Sequence, residues 1–137
     1  MKSTNFDIAD FGARTGGQDC TAAIQAAIDA AAAAQGRVIV PAGTFHCGEL
    51  RLRPGVAIEG HAAWSFRAGQ GSILRLNKPD APCLLNLTGA LGAAVANLNL
   101  HGGDLEGSRA HGILVDKPDY GRQEDTPRID TVRVEHF

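Results

Sequence analysis

A chain of 137 residues that is 44% hydrophobic and 20% charged holds enough apolar mass for one folded domain and is too apolar to be a disordered tail. Its formal net charge of −2 leaves no basic footprint for nucleic acid. No run approaches the roughly 18 apolar residues of a membrane helix. Aromatic residues are scarce at 5% while glycine is frequent at 17 residues, a pairing that suits narrow layers of aliphatic side chains joined by many turns.

The N-terminus, MKSTNFDIADFG, lacks the apolar core of a signal peptide. Phe6, Ile8 and Phe11 predict a short strand from Asn5 to Phe11 that ends at Gly12. The Asp10-Phe11-Gly12 triplet is a kinase motif in spelling only, since no lysine strand, glycine-rich phosphate loop or HRD segment accompanies it. The stretch from Asp19 to Phe45 then reads as a helix over about 19–35, a stop, a strand and a turn. Asp19 or Thr21 is the expected N-cap, and Ile24, Ala27, Ile28 and Ala31 fall on one narrow apolar face. Alanines 30–34 extend the helix, and Gln35-Gly36 stops it because glycine takes the left-handed conformation freely. Val38-Ile39-Val40 is short, β-branched and closed by Pro41. Such a helix lies flat over the apolar sheet that follows, as a lid.

From Pro41 onward only short strands are expected: Thr44–His46, Glu49–Leu52, Val56–Ile58, Ile73–Leu76, Cys83–Leu87, Val95–Leu100, Gly112–Val115 and Ile129–Val134, each bounded by Gly, Pro, Asn or Asp. Three of them end alike, at Glu59-Gly60, His101-Gly102 and Glu135-His136, and this aligns Ile58, Leu100 and Val134 as equivalent positions in stacked coils. No Asn-Gly or Asp-Gly hairpin joins adjacent strands, which argues against a sandwich or jelly roll. The expected fold is therefore mainly β, a single-stranded parallel β-helix over residues 1–137. It carries an N-terminal amphipathic capping helix and coils from about residue 38, because an exposed first coil edge needs cover. Cys20, Cys47 and Cys83, odd in number and widely spaced, read as reduced and buried rather than as a disulfide framework or a metal site.

The order Asp10-Phe11-Gly12-Ala13, Asp19 to Ile28, Gly36, and Val40-Pro41-Ala42-Gly43-Thr44-Phe45, followed by Leu52-Arg53-Pro54-Gly55-Val56-Ala57-Ile58-Glu59-Gly60, resembles the N-terminal segment of the pectate lyase 3 / glycoside hydrolase 28-related superfamily. The match spans roughly residues 6–76. The resemblance implies a right-handed, pectin lyase-like β-helix and a polysaccharide or oligosaccharide partner. It also implies polysaccharide lyase or glycoside hydrolase activity on an acidic or neutral polymer. The alternative is a non-catalytic carbohydrate-binding, adhesin or phage tailspike-like module. An extracellular or periplasmic location goes with the resemblance, and a cytoplasmic one with the missing signal peptide. Catalytic residues of the superfamily usually come from central coils, so these 137 residues alone are expected to have little or no activity. The last strand runs to Phe137 without a cap, so its open edge is expected either to continue into further coils or to be buried by self-association.

No catalytic residue is assigned. A hydrolase needs two facing carboxylates, whereas a lyase needs a base for the proton α to a uronate carboxyl and a cation to stabilise the enolate. The Asn-Thr-Asp, Asp-Asp, Gly-His-Gly and Arg-Ile-Lys motifs of polygalacturonases are missing, and only His111-Gly112 echoes them. The candidate substrate-binding residues are Trp64, His101, Asp104, His111, Asp116, Asp119, Tyr120, Arg122, Glu124 and Asp125. Tryptophan and tyrosine would stack on sugar rings, and the polar groups would bond hydroxyls. The bland alternative is that a solenoid's loop charges are merely solvated and its histidines satisfy turn carbonyls. His46 and His61 are read as turn residues without a role. No metal site is assigned and no cofactor is evident, although Ca²⁺ would fit a lyase through oxygen ligands.

Overall fold

The computed structural model describes residues 4–61, 71–116 and 127–137. The chain opens with β1 (Asn5–Asp7) and then winds into a single 3₁₀ turn, Ile8–Phe11. The alternation that predicts a strand through Phe11 fails there because the Asp7 carboxylate accepts a hydrogen bond from the Ala9 N–H at 2.8 Å. This local bond competes with the ladder, and Gly12 closes the turn at φ 102°.

Helix α1 (Thr21–Ala34) buries Ile24, Ala27, Ile28 and Ala31 completely, the face expected from the sequence. It packs on β1, the 3₁₀ turn and the strands that follow. Each fully buried isoleucine contributes about 1.5–3 kcal/mol. Both helix ends differ from expectation. The N-cap is Cys20, which makes no side-chain cap bond. Asp19 is instead held by the Thr21 hydroxyl at 2.6 Å and by Asn77 Nδ2 at 3.0 Å. At the other end Gln35, not glycine, takes the left-handed conformation at φ 53°. Gly36 serves another need, because a Cβ there would lie 2.3 Å from the Thr4 carbonyl oxygen.

The remaining strands are β2 (Arg37–Ile39), β3 (Gly43–Cys47), β4 (Leu50–Arg51), β5 (Ala57–Glu59), β6 (Ser72–Leu76), β7 (Cys83–Asn86), β8 (Ala94–His101), β9 (His111–Leu114) and β10 (Arg128–Glu135). Every strand pairing among the described residues is parallel. Strand β8 belongs to two faces. Its first residues continue the ladder β1-β2-β5, and its last residues continue β3-β6. The bend between the halves falls at Asn97 (φ 58°), and β10 bends beside it at Thr131 (φ 55°). A third face stacks β4, β7 and β9. Among the described residues the result is a mainly β molecule of curled parallel sheets with one α-helix.

The bend in β8 corrects one alignment. Leu100 does stand opposite Val134, but Ile58 stands opposite Val95. Two apolar groups in one continuous strand look alike in sequence, and only the left-handed residue between them shows that they face different sheets. Inward positions pack as Phe45, Leu74 and Leu100 on one face and Val38, Ile58 and Val95 on another, all buried. Ile129 and Val134 of β10 are 48% and 50% exposed. Cys20, Cys47 and Cys83 are free and buried, as expected.

One corner is held by a buried hydroxyl. Ser72 accepts from the His61 N–H and donates to the Val40 carbonyl, both at 2.7 Å, while its own N–H donates to the His61 carbonyl at 3.1 Å.

Candidate functional site

The pleat sends alternate side chains of β3, β6 and the second half of β8 to opposite faces. Phe45, Leu74 and Leu100 go inward, and His46, Arg75 and His101 therefore go outward. Register then aligns chemistry across strands. Asp19 bridges to His46, His46 stands beside Arg75, Arg75 beside His101, and His101 beside Glu135. A second outer row runs Thr44, Ile73, Asn99, Arg133. The face thus carries a file of imidazole and guanidinium groups with a carboxylate at each end.

Around the far end of this file the contacts are dense. His101 and His136 stack with ring centroids 4.5 Å apart and planes 12° apart. The His101 Nδ1 accepts the Gly103 N–H at 2.9 Å, so the neutral ring keeps its proton on Nε2. Burial holds His101 below the ordinary imidazole pKa, with Arg75 and His136 adding to the effect and Glu135 and Asp104 opposing it. Arg75 reaches the Gly103 carbonyl at 3.5 Å. His136 Nδ1 lies 2.9 Å from Asp104 Oδ1, and its Nε2 lies 3.9 Å from Glu135 Oε2. Glu135 also pairs with Arg133 and accepts from Asn99 Nδ2 at 3.0 Å. The other side-chain atom of Asn99, Oδ1, is buried without a partner.

Two solved structures are similar to this chain in overall fold. The mannuronan C-5 epimerase AlgE4 A-module of Azotobacter vinelandii is 26% identical over 95% of this chain and 38% of its own, with a TM-score of 0.73. The AlgE6 A-module from the same organism is 24% identical over 94% of this chain and 37% of its own, with a TM-score of 0.75, a likeness of fold alone. The chain thus spans less than two-fifths of the length of either neighbour. No family model and no curated protein matches it.

Of the residues singled out in the sequence, His101 and Asp104 are brought together. His111 opens β9 on another sheet, opposite Cys83, and is exposed. Asp116 follows β9, is exposed, and donates its backbone N–H to Thr88 Oγ1 at 2.8 Å. Neither belongs to the His101 cluster. Trp64, Asp119, Tyr120, Arg122, Glu124 and Asp125 lie outside the described residues. His46 is a strand residue, not a turn residue. Arg75, Glu135 and His136 were missed, although the shared strand endings held the signal. Setting Leu100 against Val134 places Glu135 beside His101 and His136 beside Gly102.

Proposed function

We propose that these residues form the opening coils of a right-handed parallel β-helix that binds an acidic polysaccharide across the His46–Arg75–His101 face. We further propose that the reaction served is one that begins by removing the C-5 proton α to a uronate carboxyl. The observation that carries this reading is the file of cationic and hydrogen-bonding side chains, one per strand. Strands stand about 4.8 Å apart, so an extended chain lying across them would meet a new polar group at nearly every sugar. The likeness to mannuronan C-5 epimerase modules supports a polymer that bears a carboxylate on each residue.

The chemistry follows from the groups present. Arg75 would pair with a uronate carboxylate through a charge-assisted hydrogen bond, and the Nε2–H of His101 would donate to the same or the adjoining oxygen. When a general base, not assigned among these residues, takes the C-5 proton, charge moves onto that carboxylate, and fixed donors already aimed at it stabilise the enolate more than the ground state. Lyase and epimerase reactions share this step and diverge afterwards. Hydrolysis draws less support. The carboxylates nearest the file are already engaged: Asp19 with Thr21 and Asn77, Asp104 with His136, and Glu135 with Arg133 and Asn99.

The test is binding and isotope exchange on one sample. The chain should bind polymannuronate and not a neutral glucan, more weakly as salt rises. Arg75→Ala should lower affinity about tenfold, the size of one charge-assisted bond. Because these residues alone are expected to have little or no activity, incubation in D₂O should leave C-5 essentially undeuterated, read by NMR. Equal binding of neutral and acidic polymers, or an indifferent Arg75→Ala variant, would overturn the reading. Deuterium placed at C-5 by this chain alone would overturn the expectation that these residues have little activity by themselves.

A further inference from the structure

Past β8 the backbone takes two left-handed residues in succession, Gly103 at φ 79° and Asp104 at φ 52°. Only glycine fits the first position, because a Cβ there would lie 2.5 Å from the Leu76 carbonyl oxygen at the end of β6. The second carries a Cβ, and such a residue keeps this conformation only where its surroundings hold it. Three side chains do the holding. His101 Nδ1 accepts the Gly103 N–H at 2.9 Å, Arg75 reaches the Gly103 carbonyl at 3.5 Å, and His136 Nδ1 lies 2.9 Å from Asp104 Oδ1. Just before the turn, the Gly102 N–H donates to the Glu135 carbonyl at 2.9 Å and so belongs to the ladder between β8 and β10.

We infer that the His101–Gly103 bond is a pH-sensitive clasp, and that protonating His101 releases the Gly103–Asp104 turn while the strands beneath it stay paired. The reason lies in one lone pair. A neutral imidazole with its proton on Nε2 has a single acceptor, Nδ1, and the Gly103 N–H uses it. A second proton can go only to that nitrogen, so two N–H groups then face each other where a hydrogen bond stood. The clasp cannot be both closed and charged.

The neighbours set where it opens. Arg75 faces the ring from β6, Glu135 from the end of β10, Asp104 from the turn itself, and His136 stacks on it at 4.5 Å. Burial opposes a charge on His101 most, Arg75 and His136 oppose it further, and Glu135 and Asp104 favour it. The balance leaves His101 below the ordinary 6.5, so the closed clasp contributes fully above about pH 6.5 and is lost as pH falls through the lower, folded value. Opening also changes what the face presents. The charged ring offers two donors, Nδ1–H and Nε2–H, beside Arg75, where the closed one offers a single donor. This device does not depend on the polysaccharide reading.

The experiment is a titration of the untagged chain from about pH 8 to about pH 4, followed by NMR. Ring carbon shifts of His101 should report the Nε2–H tautomer at the alkaline end and a midpoint below 6.5. Through that midpoint the Gly103 amide should lose protection against hydrogen exchange at least tenfold, after correction for the intrinsic rate, while the amides of β8 and β10 keep theirs. His101→Asn places an oxygen acceptor close to where Nδ1 stands, bonding two residues on as an Asx-turn does, and it does not titrate. In that variant the Gly103 amide should stay protected throughout. His136→Asn tolerates the left-handed backbone and removes a neighbouring cation, so the transition should persist with its midpoint at higher pH. A Gly103 amide that stays protected in the parent while His101 titrates would overturn the inference. So would an unchanged transition in His101→Asn, a transition abolished in His136→Asn, or a loss of protection shared by β8 and β10.

Discussion

The three cysteines illustrate how burial sets reactivity. Cys83 has its thiol pushed up to about 12, first by burial and then by the Glu49 carboxylate, whose Oε2 lies 3.5 Å from Sγ. Cys47 is driven higher still, chiefly by burial. At pH 8 a thiol with a pKa near 12 is ionised in roughly one molecule in ten thousand, and the thiolate is the reactive form. An aromatic disulfide reagent is therefore expected to label neither Cys47 nor Cys83 in the native chain at pH 8, and all three thiols after denaturation in guanidinium. Rapid labelling of the native protein at either position would contradict the packing. Odd number and wide spacing made these residues legible as buried thiols. The site residues were less so, because Arg75 and Glu135 look like ordinary alternating surface charges until register sets them on either side of His101.

Helix α1 shows a different limit. Its apolar face was readable because a 3.6-residue period is a property of the segment itself. Its ends were not, since Asp19, Thr21 and Gly36 are committed to partners elsewhere in the chain. The Thr21 hydroxyl accepts the Gly48 N–H at 2.8 Å and donates to Asp19, and Asn77 donates to Asp19 from a later coil. These bonds, the Thr21 hydroxyl first, lower the Asp19 pKa below its ordinary 3.8. A depressed folded pKa means that the tie contributes fully above about pH 3.8 and is lost as pH falls through the lower, folded value. Asp19→Asn should therefore be less stable than the parent at pH 6, with the gap closing below pH 3.8. An exposed tie of this kind contributes at most about 1 kcal/mol. Melting temperatures of the two proteins from pH 2 to 7 check the sign, and a gap that widened in acid would refute it.

Across the molecule, parallel register turns local sequence into long-range geometry. Each described strand was legible, since three to six apolar-alternating residues between turn residues identify themselves. Their pairing was only half legible. The Leu100–Val134 match held, while Ile58 found Val95 because β8 turns a corner in mid-strand. The candidate site shares that fate, being assembled from side chains on separate coils: Arg75, His101 and Asp104, and Glu135 with His136. No window of neighbouring residues contains it.

Ser72 carries a consequence for what this scaffold tolerates. With His61 it closes a gate, so that the chain leaves one face and rejoins the next through a fixed opening, whatever length of polypeptide lies between. Register on either side is set by Glu59 against Ala96 and by Ile73 against Asn99, neither of which depends on that length. A foreign peptide spliced between 61 and 71 should therefore leave the far-UV spectrum unchanged and cost little stability, since each doubling of loop length adds only about 0.6 kcal/mol. Ser72→Ala combined with the same insertion should unlatch the gate, and the melting temperature should fall by more than either change produces alone. The corner is in that sense a grafting port, a place where new recognition sequences can be displayed without rewriting the coils beneath them.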